Sequence, residues 1–375
     1  MDIPFNEPYI GKEEEQSLMK ALRSKHLRGD GPYTQRVQKY MEDWLGLDHV
    51  LLTTSCTHAL EMAMLVLGIG RGEEVIMPSF NFVSSANAAV LAGAEPVFAE
   101  VCPETMNLEP EDLERKITER TKAIVPVHYA GVACDMDAIM EIADRYDLYV
   151  VEDAAQGVDA YYDGKPLGTI GDIGCYSFHD TKNITCGEGG AFLTNDPELA
   201  QRAEIVREKG TNRAAFIRGE VDKYTWVDKG SSYIPSDLLI SLLESQLQKR
   251  EEIKTKRRDI WEQYYELLAP YEENLMLPVI PEKCNSNYHI FHFLARNIEQ
   301  QEQLIESFKQ EGIPATFHYV PLHNAPFFKS HFDSTEPLQL TAEYSNRLIR
   351  LPLYPELDAT DAYFGRISKA IEQVI

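Results

Sequence analysis

The sequence predicts an α/β protein with a mostly parallel central sheet flanked by helices and a smaller C-terminal α+β domain. Short apolar strands alternate with helices from residue 49 to residue 153, and this alternation is typical of parallel sheets. Small hydroxyl residues and acids stand where these strands end, and such ends carry the ligand sites of α/β sheets. A long helical stretch over 236–268 is followed by shorter segments of mixed type, which indicates a second domain.

The first half of the chain supplies the alternating elements. Two segments with apolar positions at helical spacing, 12–25 and 34–46, come before them. The predicted ranges are then strand 49–53, helix 58–67, strand 74–77, helix 82–91, strand 96–100, helix 110–117, strand 123–127, helix 136–146 and strand 148–151.

The second half departs from this alternation. Residues 209–232 form a polar segment that is locally basic in an acidic chain. The helix over 236–268, ended by Pro270, is expected to link a large domain, 1–250, to a small one, 251–375. The small domain is expected to hold strand-like segments near 288–295 and 314–318 and helices near 299–311, 341–349 and 360–374.

Composition narrows the classes of function. The 375 residues carry a net charge of −24, which argues against broad binding to nucleic-acid phosphates or to an anionic membrane surface. No apolar run approaches transmembrane length, and the first residues lack a signal-peptide pattern. The six cysteines form no CxxC pair and the histidines are dispersed, so we expect a reduced, cytoplasmic protein without a metal site.

One segment, CYSFHDTKNITCGEGGAF from Cys175 to Phe192, contains the central candidate residue. Lys182 lies in a polar turn between two strands, followed by glycines that allow close approach of a ligand. Such a lysine can form a Schiff base with an aldehyde cofactor. Taken alone, a lysine in such a position is far more often a solvated residue of a hairpin turn. The rest of the chain supplies, in order, the other parts of a pyridoxal phosphate site.

Each of those parts also has an ordinary structural explanation. Asp153 follows an apolar strand and would pair with a protonated pyridine nitrogen, or cap a helix. Gln156 would hydrogen-bond a ring oxygen or lie at the surface, and Phe82 would stack on the ring or lie in the core. Ser177 and the hydroxyl residues of 54–57 would contact a phosphate, or satisfy backbone groups.

Taken together, these segments resemble a known family. TSCTHALEM, MPSFNFVSSANA, VPVHYAG, VEDAAQG, YSFHDTKN and GEGGAF, in this order and at these intervals, are similar to the DegT/DnrJ/EryC1/StrS sugar aminotransferases. The resemblance covers nearly the whole chain. It implies the aspartate aminotransferase fold (fold type I), pyridoxal 5'-phosphate as cofactor, and a homodimer with shared active sites.

The resemblance also implies roles for individual residues. Lys182 becomes the Schiff-base lysine, and Asp153 becomes the partner of the ring nitrogen. Gln156 approaches the ring oxygen, and Phe82 lies against the ring face. The phosphate contacts, one of them through a backbone amide, are Cys56, Thr57 and Ser177.

The sequence departs from the family pattern at residues 232–234. Many members carry Asn-Tyr-Arg there, with the asparagine reaching the neighbouring subunit's phosphate. This chain has Ser232, Tyr233 and Ile234, so Ser232 is expected to make a shorter contact and the arginine function is missing.

The same resemblance implies a substrate class. FHDTKN, REKGTNR, RGEVDKYTW and GSSY look closest to a subgroup of enterobacterial common antigen synthesis that aminates dTDP-4-keto-6-deoxy-D-glucose at C4. L-Glutamate would be the donor and 2-oxoglutarate its product. The expected substrate contacts, which include three cations for the nucleotide diphosphate, are Arg213, Arg218, Lys223, Tyr233, His318 and Tyr319.

Three alternatives stay open. The product is either the galacto epimer at C4, which the resemblance favours, or the gluco epimer. A 3-keto-sugar aminotransferase of the same family would carry the same cofactor motifs. A non-catalytic protein that binds pyridoxal phosphate or a nucleotide sugar is the third alternative, and the retention of Lys182, Asp153 and Ser177 argues against it.

Overall fold

A computed structural model describes residues 3–332 and 336–375. The strands are β1 (His49–Thr53), β2 (Glu74–Pro78), β3 (Glu95–Ala99), β4 (Thr121–Ile124), β5 (Tyr149–Asp153), β6 (Tyr161–Tyr162), β7 (Lys165–Pro166), β8 (Ile173–Ser177), β9 (Gly190–Thr194), β10 (Leu275–Met276), β11 (Cys284–Asn285), β12 (Phe291–Ala295) and β13 (Leu348–Leu351). The helices are α1 (Lys12–Ser24), α2 (Pro32–Leu45), α3 (Cys56–Leu67), α4 (Val83–Ala92), α5 (Pro110–Arg115), α6 (Met136–Tyr146), α7 (Pro197–Arg207), α8 (Arg213–Ile217), α9 (Asp237–Gln248), α10 (Arg250–Leu268), α11 (Ile298–Gln310), α12 (Pro326–His331), α13 (Gln339–Ser345) and α14 (Asp361–Glu372).

A seven-stranded sheet with the order β1-β9-β8-β5-β4-β2-β3 forms the centre of the large region. All neighbouring strands from β3 to β8 run parallel, and β9 pairs antiparallel with both β8 and β1. Separate apolar clusters cover the two faces of the sheet. Burial on both faces explains why these strands appear in the sequence as continuous apolar runs. The predicted parallel α/β sheet with flanking helices is confirmed.

The C-terminal region builds its own sheet, β10-β12-β13, against α10, α11 and α14. Its core contains aromatic residues such as Tyr264, Phe291 and Phe308, each fully buried. A further apolar cluster packs Phe80 and Tyr129, which follow strands of the large sheet, against residues of this region. That cluster holds the second region over the carboxyl ends of the parallel strands.

Three predicted elements in the second half were wrong in detail. The helix predicted over 236–268 is two helices, because Lys249 leaves the helical conformation (φ −101°, ψ 5°). Its ammonium donates to the buried carboxylate of Glu14 at 2.7 Å, a tertiary contact that sequence periodicity does not reveal. The break lies next to the predicted domain boundary at residue 250, and that division stays a prediction.

The segment predicted as a helix over 341–349 changes type within its length. Helix α13 ends at Ser345, and β13 follows because it pairs with β12, with Arg350 opposite His292. The strand-like segment predicted near 314–318 contributes one bridge, between Thr316 and Arg350. No helix of the described residues is both long enough and apolar enough to cross a membrane.

Candidate active site

A cavity of about 440 Å³ opens at the carboxyl ends of the parallel strands. Its walls come from the starts of α3 and α4, the ends of β5 and β8, the β8–β9 connection and the second region. The predicted residues that line it are Cys56, Thr57, Phe82, Asp153, Gln156, Ser177, Lys182, His318 and Tyr319. The fold therefore brings together residues that lie far apart in the sequence.

Lys182 lies in a tight connection between β8 and β9. Backbone hydrogen bonds close this connection, from Phe178 N to Gly189 O at 2.8 Å and from Asp180 N to Gly187 O at 2.9 Å. The Lys182 side chain points into the cavity rather than into open solvent as an ordinary hairpin lysine would. Burial lowers the pKa of Lys182, although the nearby carboxylate of Asp153 acts in the opposite direction. A larger share of the amine is therefore neutral and able to act as nucleophile or base.

Asp153 ends β5 and is almost fully buried. Its Oδ2 accepts a hydrogen bond from Ser85 Oγ at 2.5 Å, and its Oδ1 accepts from Ala155 N at 3.1 Å. The preceding residue, Glu152, points to the other side and accepts backbone N–H bonds from Gly168, Ile170 and Gly171. This anchoring fixes the strand end, so the Asp153 carboxylate is held at the cavity wall.

The start of α3 forms a cradle for an anion. Ser55 caps the helix by accepting from His58 N at 3.1 Å, while the first amides of the helix, at Cys56 and Thr57, have no partner within it. Helix starts of this kind hold phosphate groups. The hydroxyl of Thr57 lies 2.8 Å from that of Ser84, and Ser177 also lines the cavity.

A second group of residues closes the cavity from the other side. Gln156 accepts from Ala130 N at 2.7 Å and donates to the Tyr319 hydroxyl at 3.2 Å. His318 Nδ1 lies 3.1 Å from the hydroxyl of Tyr129, and burial lowers the pKa of His318, so the imidazole is neutral. Phe82 is 58% exposed and lines the cavity rather than the core, which is the position expected for a ring-stacking residue.

The three predicted diphosphate-binding cations lie outside this cavity. Arg218 pairs with Glu204 at 2.8 Å and with Glu220 at 2.7 Å. Arg213 lies 3.5 Å from Glu208, and Lys223 is exposed. Within one chain these cations do not meet the cavity residues, so their role stays a prediction.

The residues at the family's Asn-Tyr-Arg position are also outside the cavity of their own chain. Ser232 is exposed and forms a backbone bridge with Glu208. Tyr233 is buried, with its ring 5.0 Å from that of His58 and its hydroxyl donating to Glu61 at 3.4 Å. Their predicted contacts with cofactor and substrate remain untested.

The sequence analysis missed several residues of the site. Ser85 lies in the quoted segment MPSFNFVSSANA, but nothing in its spacing identified it as the partner of Asp153. His289 lines the cavity and donates from Nδ1 to Asn183 Oδ1 at 2.8 Å, next to Lys182. Arg350 lines the cavity from β13, just beyond the helix predicted over 341–349.

The model of the DegT/DnrJ/EryC1/StrS aminotransferase family matches residues 8–371. The chain belongs to this family. It is 36% identical over 381 aligned positions to uncharacterized protein MJ1066 of Methanocaldococcus jannaschii, and the alignment covers 100% of this chain and 97% of that protein. Among solved structures, the aminotransferase TlmJ from Streptoalloteichus hindustanus is 29% identical, with 100% of both chains covered and a TM-score of 0.92.

The sugar aminotransferase Spr1654 from Streptococcus pneumoniae, solved in a PLP form, is 26% identical with a TM-score of 0.91, and all of both chains is covered. A PMP form of the same protein is also similar. Family and solved neighbours together make this chain a pyridoxal phosphate-dependent sugar aminotransferase of fold type I. The residues of the cavity fit this cofactor: a lysine with lowered pKa, a carboxylate held at a strand end, and a helix start with unpaired amides.

Proposed function

We propose that the protein moves the amino group of L-glutamate to C4 of dTDP-4-keto-6-deoxy-D-glucose. The products are then 2-oxoglutarate and dTDP-4-amino-4,6-dideoxy-D-galactose. The observation that carries the aminotransfer is Lys182, an amine of lowered pKa that shares a cavity with Asp153. The choice of acceptor rests on the resemblance of FHDTKN, REKGTNR, RGEVDKYTW and GSSY to one subgroup, in enterobacterial common antigen synthesis.

Pyridoxal phosphate, when bound, supplies an aldehyde that takes up the amino group and a ring that accepts the electrons of the broken C–H bond. Lys182 would hold this aldehyde before the donor enters. Its neutral Nζ then accepts the proton from the donor's Cα, and in the second half of the reaction Lys182 returns a proton to C4 of the sugar.

The remaining cavity residues bind and orient. Asp153, held by Ser85 and the Ala155 amide, would keep a proton on the ring nitrogen. The amides at the start of α3, together with Thr57 and Ser177, would hold the phosphate.

We further propose a homodimer in which each cavity is completed by the partner. Two observations support this: the resemblance, and the location of the remaining predicted contacts outside the cavity of their own chain. These contacts are Arg213, Arg218, Lys223, Ser232 and Tyr233. All six cysteines are free thiols, which suits the reducing conditions of a cytoplasmic enzyme.

The test is the visible absorption spectrum of the purified protein with pyridoxal phosphate. We expect L-glutamate to replace the visible band of the lysine-bound cofactor with a band at shorter wavelength, and dTDP-4-keto-6-deoxyglucose to restore it. Lys182→Ala should fold, as judged by circular dichroism, without any turnover. The proton couplings at C4 of the product then distinguish an axial amine, the galacto epimer, from an equatorial one.

Either of two results would reject the proposal. Normal turnover by Lys182→Ala would remove the lysine from the reaction. A wild-type spectrum that glutamate changes but the dTDP sugar does not restore would leave the aminotransferase without its proposed acceptor.

A further inference from the structure

His289 lines the same cavity as Lys182, with one ring nitrogen paired and the other free. Its backbone N–H donates to Asn287 Oδ1 at 3.1 Å, and its carbonyl accepts from Arg257 at 2.6 Å. In the ring, Nδ1 lies 2.8 Å from Asn183 Oδ1, whereas Nε2 has no hydrogen-bond partner among the described residues. Nε2 is therefore the polar atom of this residue that is left for a ligand.

The orientation of the Asn183 amide determines which ring nitrogen carries the proton. Asn183 Nδ2 donates to the carbonyl of Asn287 at 2.8 Å, so the oxygen of the amide faces His289. An amide oxygen accepts hydrogen bonds, and the hydrogen is therefore on Nδ1 of His289. Burial lowers the pKa of His289 well below its usual value, and the nearby charge of Lys182 acts in the same direction. The imidazole is neutral at neutral pH, and its Nε2 offers a lone pair.

A buried amide behind His289 keeps the ring in this orientation. Asn287 donates to the carbonyls of Gln156 at 2.8 Å and Val158 at 2.7 Å, while its own oxygen accepts from the His289 backbone. Both Asn183 and Asn287 are buried. The acceptor at Nε2 is thus fixed before a ligand arrives, so binding requires little ordering of this side chain.

The other polar groups of the cavity include donors that suit anions. The first amides of α3, at Cys56 and Thr57, point to a phosphate, and the Nε of Arg350 has no hydrogen-bond partner among the described residues. A lone pair repels carboxylate and phosphate oxygens. His289 Nε2 therefore needs a ligand group that donates a hydrogen bond.

The proposed substrates offer such a donor close to the reacting carbon. The amino group of the donor is consumed in the reaction, and its carboxylates only accept at neutral pH. The sugar retains its hydroxyl groups. Because His289 lies near enough to Lys182 for its charge to act on the imidazole, the hydroxyl that meets Nε2 belongs close to the carbon that reacts at Lys182.

We propose that His289 is a specificity-determining residue whose Nε2 accepts a hydrogen bond from the sugar hydroxyl next to the reacting carbonyl. This inference rests on the proposed function, in which that hydroxyl is on C3. The contact orients the sugar so that its carbonyl carbon faces the reacting amine. A sugar without the hydroxyl leaves a desolvated lone pair unpaired, and a site of this kind rejects such a sugar strongly.

The experiment measures how strongly each variant prefers dTDP-4-keto-6-deoxyglucose over its 3-deoxy analogue, as a ratio of kcat/KM values. His289→Asn keeps an N–H near the position of Nδ1 for Asn183 but has no atom at the position of Nε2. His289→Gln places an acceptor near the position of Nε2. His292→Asn is the control, because His292 is a buried imidazole on β12 that does not line the cavity.

We expect wild type and His292→Asn to prefer the 3-hydroxy sugar by about 10- to 100-fold, the cost of leaving one buried acceptor unpaired. His289→Asn should discriminate by no more than about twofold, and His289→Gln should regain part of the preference. His289→Phe, which keeps the ring without either nitrogen, should also lose it. Circular dichroism checks that each variant folds.

A binding measurement does not depend on turnover. Sugar nucleotides without a ketone, dTDP-6-deoxy-D-glucose and its 3-deoxy analogue, bind without reacting. Calorimetry should show that wild-type holoenzyme binds the 3-hydroxy form about tenfold more tightly, whereas His289→Asn holoenzyme binds the two forms alike.

The outcomes separate this inference from the proposed function. A full preference for the 3-hydroxy sugar in His289→Asn and His289→Phe would show that the inference is wrong. The same conclusion follows if these variants keep the preference but respond slowly to glutamate, because Nε2 then serves the Lys182 amine. If the dTDP sugar does not restore the wild-type spectrum, the proposed acceptor is wrong, and the hydroxyl contact is rejected with it.

Discussion

Asp153 keeps both carboxylate oxygens in hydrogen bonds to uncharged donors, Ser85 Oγ and Ala155 N. Neither donor carries a charge, so the carboxylate would remain available to a protonated ring nitrogen, which is the role proposed for it. Burial lowers the pKa of Lys182 and favours the uncharged amine, and the carboxylate of Asp153 acts against this shift.

Ser85→Ala should lower kcat/KM for glutamate by about 10- to 100-fold, since a hydrogen bond to a charged group contributes roughly 1.5–3 kcal/mol. The matched control is Ser84→Ala on the same helix, whose hydroxyl contacts Thr57 at the phosphate cradle. That change should weaken cofactor binding by no more than about tenfold and leave the spectrum of the bound cofactor unchanged. Steady-state kinetics and equilibrium dialysis of the cofactor give both values. Equal losses of kcat/KM for glutamate in the two variants would show that Ser85 has no special relation to Asp153.

At the scale of elements, β9 and the start of α3 lie close together at Gly190. A Cβ at this position would lie 2.4 Å from the carbonyl carbon of Ser55 and 2.5 Å from the amide nitrogen of Cys56. Both are backbone atoms at the anion-binding start of α3, so neither can move without displacing the cradle. The absence of a side chain at residue 190 thus allows the sheet and the helix start to form one site.

Gly190→Ala should therefore destabilise the protein by about 1–3 kcal/mol, as overpacking of a core does, and should weaken pyridoxal phosphate binding. Gly365→Ala is the control, for which we expect the opposite change in the free energy of unfolding. It lies in α14 with no atom near the added Cβ, so it should stabilise the protein by about 0.5–1 kcal/mol. Urea unfolding of both variants measures these values. A neutral effect of Gly190→Ala with normal cofactor affinity would contradict the close packing described above.

At the scale of the whole molecule, the chain divides its predicted site residues between two places. The cofactor residues meet in one cavity, whereas the basic segment 209–232 lies outside it and its arginines pair with acids of its own surface. In a twofold dimer with shared sites, this segment would act on the partner's cavity.

Subunit mixing tests this arrangement. Lys182→Ala chains retain the basic segment, and Arg213→Ala/Arg218→Ala/Lys223→Ala chains retain the lysine; each should be inactive or nearly so alone. Mixed by unfolding and refolding together, they should recover about a quarter of wild-type activity, because half of the dimers are hybrids with one intact site of two. Sedimentation velocity should show particles of twice the chain mass of 42.6 kDa.

The control is the spectrum of the triple variant, which should still bind pyridoxal phosphate through Lys182. If mixing restores nothing while both chains form dimers, the three cations do not serve the partner's site.

The sequence by itself predicted the parallel sheet, which the structure confirms, and the residues proposed for the cofactor site. Strands β1 to β5 and their helices are short and continuous, and their apolar patterns reflect local burial, so their positions were predicted to within a few residues. Lys182, Asp153 and Ser177 could be predicted as cofactor residues because each stands in a recognisable segment at the end of a strand or in the turn that follows one.

Only the tertiary structure decided what lies opposite those residues. His289 and Arg350 line the cavity from elements distant in sequence, and Ser85 donates to Asp153 from another helix. No local pattern relates these three residues to Lys182. The strand at Leu348–Leu351 likewise depends on pairing with β12, more than fifty residues away, and Lys249 at the helix break contacts Glu14, which is more distant still. Local sequence sets the preference for helix or strand, but long-range pairing and burial decide which side chains share one cavity and which charges remain unpaired there.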